Sequence, residues 1–174
     1  KMANPVFIAF EGIDGSGKST QAKLLREALD KSGQKVLLTA EPTNQTIGSL
    51  IRAAFSGRME ADHRTIAGLF VADRLDHILH SEYGMLPMRQ NGYHIICDRY
   101  YFSSYAYQGV HMSMDWVIKA NALSAELLRP DLNIYIDISP EVSMERINRG
   151  RTSVEMYETL ENLANEYYHE TDVI

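Results

Sequence analysis

Cysteine is nearly absent: Cys97 is the only one in 174 residues. No intrachain disulfide can form, which fits a reducing compartment. Cys97 itself lies in an apolar run and reads as a small buried strand residue. Basic residues are outnumbered, 17 Lys and Arg against 23 Asp and Glu, giving a formal net charge of -6. That sign argues against a nucleic acid as partner, because backbone phosphates recruit basic faces. A small anion, which needs only a local cluster of cations, is not excluded. No run approaches the ~18 apolar residues of a membrane span. No long apolar region follows Lys1-Met2-Ala3-Asn4-Pro5 either, so no membrane anchor or secretory leader is expected. Repeats, low-complexity tracts and linkers are missing too. What is there, 45% apolar and 23% charged residues, suits one globular domain, 1–174, with a sizeable core.

The most informative stretch is Gly12-Ile13-Asp14-Gly15-Ser16-Gly17-Lys18-Ser19-Thr20. It matches G-x-x-x-x-G-K-[ST], the phosphate-binding loop. Val6-Phe7-Ile8-Ala9-Phe10 before it reads as a buried strand. Gln21 to Leu29 after it reads as a helix with Leu25, Ala28 and Leu29 on one face. Strand, glycine loop and helix are what the chemistry needs. Glycines let successive N–H groups turn toward phosphate oxygens, and the helix adds the positive end of its dipole. Lys18 would reach the β- and γ-phosphates of a nucleoside triphosphate, and the Ser19 hydroxyl would ligate Mg²⁺.

Further strands are expected at 35–40, 93–97 and 132–138, with a fifth opening at 172–174. Helices are expected near 47–54, 62–79, 82–89, 115–128, 140–148 and 152–168. In the 115–128 helix the expected inward residues are Trp116, Ala120, Leu123 and Leu127. Alternating strands and helices imply a parallel sheet covered on both faces, α/β/α. Right-handed crossovers then gather the carboxyl ends of the strands, and the phosphate loop, Glu41-Pro42-Thr43 and Asp98-Arg99, onto one cleft.

Three features bear on the phosphate chemistry. Asp98 could hold Mg²⁺ through water or take the nucleophile's proton, and Arg99 offers a fork for a second phosphate. Arg146, Arg149 and Arg151 form the only dense basic patch, an arginine lid at about 146–153 that could close over transferring phosphates. The stretch 98–109, with Ser103, Ser104, Tyr107 and Gln108, mixes aromatics with hydroxyls and an amide, as a base pocket requires. Phe70 and Arg74, one helical turn apart, supply a further stacking and hydrogen-bonding pair.

The pieces Phe10 to Thr20, Glu41-Pro42-Thr43, Leu69 to Arg74, Asp98-Arg99-Tyr100, Ser103 to Gly109, Arg129 to Leu132 and Ile136 to Glu141 together resemble the thymidylate kinase family. The resemblance implies a P-loop NTPase-type fold and transfer of the ATP γ-phosphate to dTMP, with Mg²⁺, by a cytoplasmic homodimer. It implies that Asp14 contacts the dTMP sugar or phosphate, Phe70 stacks on thymine and Arg74 bonds its edge. Arg99 would hold the dTMP phosphate and Tyr107 would close on the sugar. Ser103, Ser104 and Gln108 would line the base pocket, and Glu41 and Asp98 would sit by the metal. Some family members carry a charge-stabilising arginine in the phosphate loop. Here that position is Gly15, so the work falls to Arg149 or Arg151, with Arg146 on the ATP side. The arginine that other members place beside Glu-Pro is also missing, which leaves Arg99 and Arg52 for the acceptor phosphate. The rival is a P-loop deoxynucleoside or deoxynucleotide kinase of different base specificity. A guanine-reading switch is disfavoured, since no N-K-x-D segment occurs.

Overall fold

Strand β1 (Phe7–Glu11) lies between parallel neighbours and alternates its side chains between two apolar layers. The computed structural model describes residues 4–150, 161–165 and 167. After β1 come α1 (Lys18–Lys31), β2 (Val36–Ala40), α2 (Thr46–Phe55), α3 (His63–Leu79), α4 (Met85–Gln90), β3 (His94–Asp98), α5 (Tyr101–Gly109), α6 (Met114–Leu127), β4 (Leu132–Tyr135) and α7 (Pro140–Gly150). Residues 161–165 and 167 are also helical. The sheet has the order β2-β3-β1-β4 and is parallel throughout. This is the three-layer α/β/α arrangement expected of a P-loop NTPase-type chain.

The two-residue period of a strand explains the layers. Phe7, Ala9, Ile95 and Cys97 face one way and pack with Ile78 of α3, Met85 of α4, Tyr101 and Tyr105 of α5 and Val117 of α6. Ile8, Phe10 and Ile96 face the other way, onto Ala22, Leu25 and Leu29 of α1. Ile13, Ile147 and Leu163 form a third cluster that ties α7 to the loop after β1. Phe10 stands opposite Asp98 in the β1–β3 register. The chain therefore leaves both strands at the same sheet edge, at the point where the strand order reverses.

Four expectations are revised. Helix α4 begins at Met85, because the Gly84 N–H is used by the His80 carbonyl in a preceding turn. Strand β4 stops at Tyr135, short of Ile138. Tyr101–Gly109, read from sequence only as a pocket lining, is a helix. Helix α6 is rotated relative to its expected face. It buries Val117, Asn121 and Ser124, whereas Trp116 and Leu123 are about half exposed. The strand expected at 172–174, and the 152–160 part of the helix expected at 152–168, lie outside the described residues. Among the described residues no helix is long and apolar enough to cross a membrane.

Two helical glycines give opposite tests of this packing. A Cβ on Gly48 of α2 would lie far inside van der Waals contact with the Thr43 backbone, whereas one on Gly68 of α3 would meet nothing within 4 Å. Helix propensity alone favours alanine at both by ~1 kcal/mol. Gly68→Ala is expected to raise the thermal midpoint, and Gly48→Ala to lower it. Calorimetry of the two variants checks both signs.

Candidate active site

The loop between β1 and α1 is held from two sides. Gly12 and Gly15 adopt φ of 137° and 73°, values open to glycine and strained for other residues. A Cβ on Gly12 would come 2.7 Å from the Ile136 carbonyl, and one on Gly15 would come 2.9 Å from the Ser143 carbonyl. The loop is thus pressed against the segment after β4 and against α7. The Ser143 hydroxyl adds a hydrogen bond to the Asp14 carbonyl. Lys18 is 5% exposed and donates from Nζ to the Ile13 carbonyl at 2.9 Å, which spans the loop. The first turn of α1, at Lys18-Ser19-Thr20, holds no acidic residue, so nothing there opposes an anion at the helix N-terminus. Ser16 is nearly buried.

Ser19 Oγ donates to Asp98 Oδ2. Hydroxyl and carboxylate meet at the mouth of the phosphate loop, two oxygen donors of the kind a hard divalent cation takes. They fit Mg²⁺. Glu41, expected beside the metal, is directed elsewhere. It is 4% exposed, with Oε2 on Arg74 Nη2 at 2.7 Å and Oε1 on His77 Nδ1 at 3.0 Å. Glu41, His77 and Cys97 do bring three metal-capable atoms within 4.8 Å of one another. Glu41 and His77 bond each other and Cys97 bonds the backbone, instead of forming a cation cage. Burial, then the Glu41 charge, push the Cys97 thiol well above its ordinary pKa, and the protonated thiol donates to the Arg99 carbonyl at 3.0 Å. A thiol so held is a poor metal ligand.

Arg99 faces the loop from β3. Nη2 donates to Asp14 Oδ1 at 2.7 Å and to the Tyr107 hydroxyl at 2.8 Å, and Nη1 to Ser103 Oγ at 3.0 Å. The Arg99 guanidinium carbon lies 4.8 Å from the centroid of the Tyr107 ring, within cation–π range. Its backbone is left-handed, with φ of 72°, a strained state for a residue with a side chain. The structure therefore gathers Asp14, Arg99, Ser103 and Tyr107, spread over 93 positions of sequence, into one polar group.

Arg74, expected at a base edge, is in the lining of the cleft and is held by bonds within the chain. It is 1% exposed. Nε and Nη2 bond Glu41, Nη1 bonds Ser104 at 3.0 Å and also Asn121, and Nη2 reaches the Tyr100 carbonyl at 3.3 Å. All five guanidinium hydrogens have an acceptor within the chain. Burial, the largest influence, opposes its charge, but Glu41, Tyr100 and Glu11 together hold the guanidinium pKa above its ordinary value. A carboxylate only accepts, so His77 donates from Nδ1 to Glu41. In the neutral ring Nε2 then takes the Thr39 hydroxyl at 2.6 Å. Next along α3, Asp73 accepts from the Thr43 N–H at 2.8 Å and from its hydroxyl at 2.6 Å. Asp73 thereby fixes the segment that follows the cis Glu41–Pro42 bond.

Arg52, Phe70, Ser104, Gln108 and Arg146 line a single cleft of about 1750 Å³, together with Glu41, Arg74, Lys18, Ser19, Asp98 and Arg99. Pockets for one ligand usually measure roughly 300–1,000 Å³, so this one has room for two. Phe70 is half-buried and tilts against Phe55 at 6.0 Å. Arg52 bonds the Pro42 carbonyl. Ser104 and Gln108 are mostly buried in the wall. Arg146 lies over the phosphate loop and donates to the carbonyls of Gly15 and Ser16 at 3.3 and 3.2 Å. Arg149 is exposed and pairs with Glu145 one turn back. Arg151 lies outside the described residues.

Sequence reasoning passed over Glu11, Phe55, Asp73, His77, Asn121 and Ser143. A signal existed for two of them. Asp73 and His77 sit four apart on the stripe of α3 that also holds the buried Ile66 and Ile78. A carboxylate and an imidazole repeated along an inward stripe mark a satisfied polar network. The Arg74–Glu41 pair is its strongest element. Replacing one partner strands the other charge in the interior, so Arg74→Met should cost about 3–5 kcal/mol. Urea denaturation measures this, and a loss below ~1 kcal/mol would contradict the burial of the pair.

The sequence profile of thymidylate kinases matches residues 10–172. A probable thymidylate kinase of Pyrococcus horikoshii is 41% identical over 161 residues, covering 89% of this chain and 76% of that protein. One from Thermococcus gammatolerans is also 41% identical, over 84% of this chain and 72% of the relative. The thymidylate kinase of Leptospira interrogans is 37% identical over 164 residues, covering 94% and 78%. The match begins at the strand that feeds the phosphate loop and takes in every residue of the cleft described above. The chain belongs to the thymidylate kinase family.

Proposed function

We propose that the cleft transfers the γ-phosphate of ATP to dTMP, giving dTDP and ADP. One observation carries this: the phosphate loop with Lys18 and the Arg99–Tyr107–Ser103 group open onto the same cleft, from adjacent strand ends. The loop N–H groups and Lys18 bind the donor phosphates, with Arg146 on the donor side. Arg99 takes the acceptor phosphate in place of the Asp14 carboxylate. Phe70 and Phe55 offer faces for the base, and Ser104 and Gln108 polar groups for its edge. Tyr107 stands where the sugar would lie, and its bulk disfavours a 2′-hydroxyl. Arg74, in the wall of the cleft, holds Glu41, Ser104 and the start of α5 in place. Ser19 and Asp98 would hold Mg²⁺, which supplies charge neutralisation on the donor phosphates when bound. Alignment of the two phosphates and electrostatic cover of the transferring group account for most of such catalysis.

The decisive experiment offers ATP with dTMP, dUMP, dCMP, dGMP and thymidine in turn. Turnover of dTMP well above the others is expected, and a preference for thymidine or another monophosphate would replace this reading with the rival kinase. In the same assay, Arg149→Ala or Arg151→Ala should lower turnover ~10³-fold, the scale of an arginine finger. Near-native rates for both would remove the lid from the mechanism.

The family resemblance further supports a homodimer working in the cytoplasm. The outward Trp116 and Leu123 of α6 give a second copy an apolar surface to cover. Light scattering should return twice the 19.7 kDa chain mass, falling to one chain for Trp116→Asp. A monomeric mass for the unaltered protein would exclude the dimer.

A further inference from the structure

We propose that Glu11 is a positioning residue for the acceptor side of the cleft: its buried carboxylate sets the backbone and guanidinium of Arg99. This rests on the reading of Arg99 as the acceptor-phosphate arginine. Glu11 is the last residue of β1 and is fully buried. Its Oε1 accepts from the Tyr100 N–H at 3.0 Å, and its Oε2 accepts from the Ser103 hydroxyl at 2.6 Å. Ser103 Oγ in turn accepts from Arg99 Nη1. One carboxylate therefore reaches the residue after Arg99 directly and the Arg99 side chain through a single hydroxyl.

The backbone geometry follows from this. In an extended strand, consecutive N–H groups point to opposite sides. Here the Arg99 N–H donates to the Phe10 carbonyl at 2.8 Å while the next N–H, of Tyr100, turns back to the same strand to meet Glu11. Both bonds together demand that the chain fold over at Arg99, and its left-handed φ of 72° is the result. That turn aims the guanidinium at Asp14 and the phosphate loop. The same carboxylate supplies the negative charge at the start of α5, whose N-cap, Tyr100, makes no side-chain capping bond of its own.

The charge state matters as well as the shape. A carboxylate can only accept, so it forces the Ser103 proton toward β1 and leaves a lone pair of Oγ facing Arg99. A carboxamide at position 11 would donate to Oγ instead, and that donor would compete with Arg99 Nη1.

The test uses Glu11→Gln, Ser103→Ala and the double variant in the full chain. Glu11→Gln is expected to raise the KM for dTMP by about tenfold or more while the KM for ATP stays within about twofold and the thermal midpoint is kept. Ser103→Ala should show the same selective rise. The double variant should be little worse than either single one, because both interrupt one relay. A general defect at the end of β1 would reach Gly12, one residue on, and raise both KM values together. That result, or full additivity in the double variant, overturns the proposal. Should Glu11→Gln not fold, Ser103→Ala decides alone, and an unchanged KM for dTMP counts against it. The two readings fail separately. An unaltered protein inactive on dTMP overturns the function, whereas an active one indifferent to both substitutions overturns only the role of Glu11.

Discussion

Arg74 carries a permanent positive charge into a part of the protein that water hardly touches, and much of the architecture can be understood as accommodating it. Removing a guanidinium from water costs several kcal/mol unless a counter-charge and a full set of acceptors replace the solvent. The counter-charge is Glu41, at the end of β2. The acceptors come from α5, through Ser104 and the Tyr100 carbonyl, and from α6, through Asn121. One side chain of α3 thus makes a strand end and two other helices hold fixed positions relative to it. Of the two, α5 carries part of the wall of the cleft. Asn121 is itself steadied by donating to the Val117 carbonyl at 2.8 Å, so the network has few loose ends.

A second group of contacts sits toward the phosphate loop. There the polar residues are partly exposed, and their partners are of the kind a ligand can replace: Asp14 on Arg99, Asp98 on Ser19, loop carbonyls on Arg146. The contrast between the two groups is physical. Charges that organise the wall are buried and fully paired; of the charges suited to meeting phosphate, Arg99 and Arg146 are left within reach of solvent while Lys18 is buried. Glu11 stands at the border, buried like the first group and connected through Ser103 to the second.

Much of this was legible in the sequence. The phosphate loop, its flanking strand and helix, the parallel sheet and the convergence of Lys18, Asp98 and Arg99 follow from motif spacing and hydrophobic period. Three things did not follow. Helix α5 was hidden because Tyr, Phe and Ser are indifferent helix formers, and its start is stabilised by Glu11, ninety positions away. The face of α6 was misjudged because period alone favours Trp116 and Leu123 for the interior. The buried stripe is Val117, Asn121 and Ser124, where Val117 joins the apolar layer and Asn121 meets Arg74. The pairing of Arg74 with Glu41 was missed because it joins the end of β2 to α3, and a linear pattern does not show which charges will neutralise each other.

The tight seat of Gly15 against α7 has a consequence for how positive charge can be delivered to the reaction. Ser143 and Ile147 occupy the space that any side chain at position 15 would need, and the same helix carries Arg146 and Arg149. An arginine rising from the loop and an arginine-bearing helix resting on the loop therefore compete for one volume. Moving the cationic group from helix to loop would take concerted change at both surfaces, since the helix must retreat before the loop can grow. A side chain at position 15 and the present seat of α7 are thus competing claims on the same space.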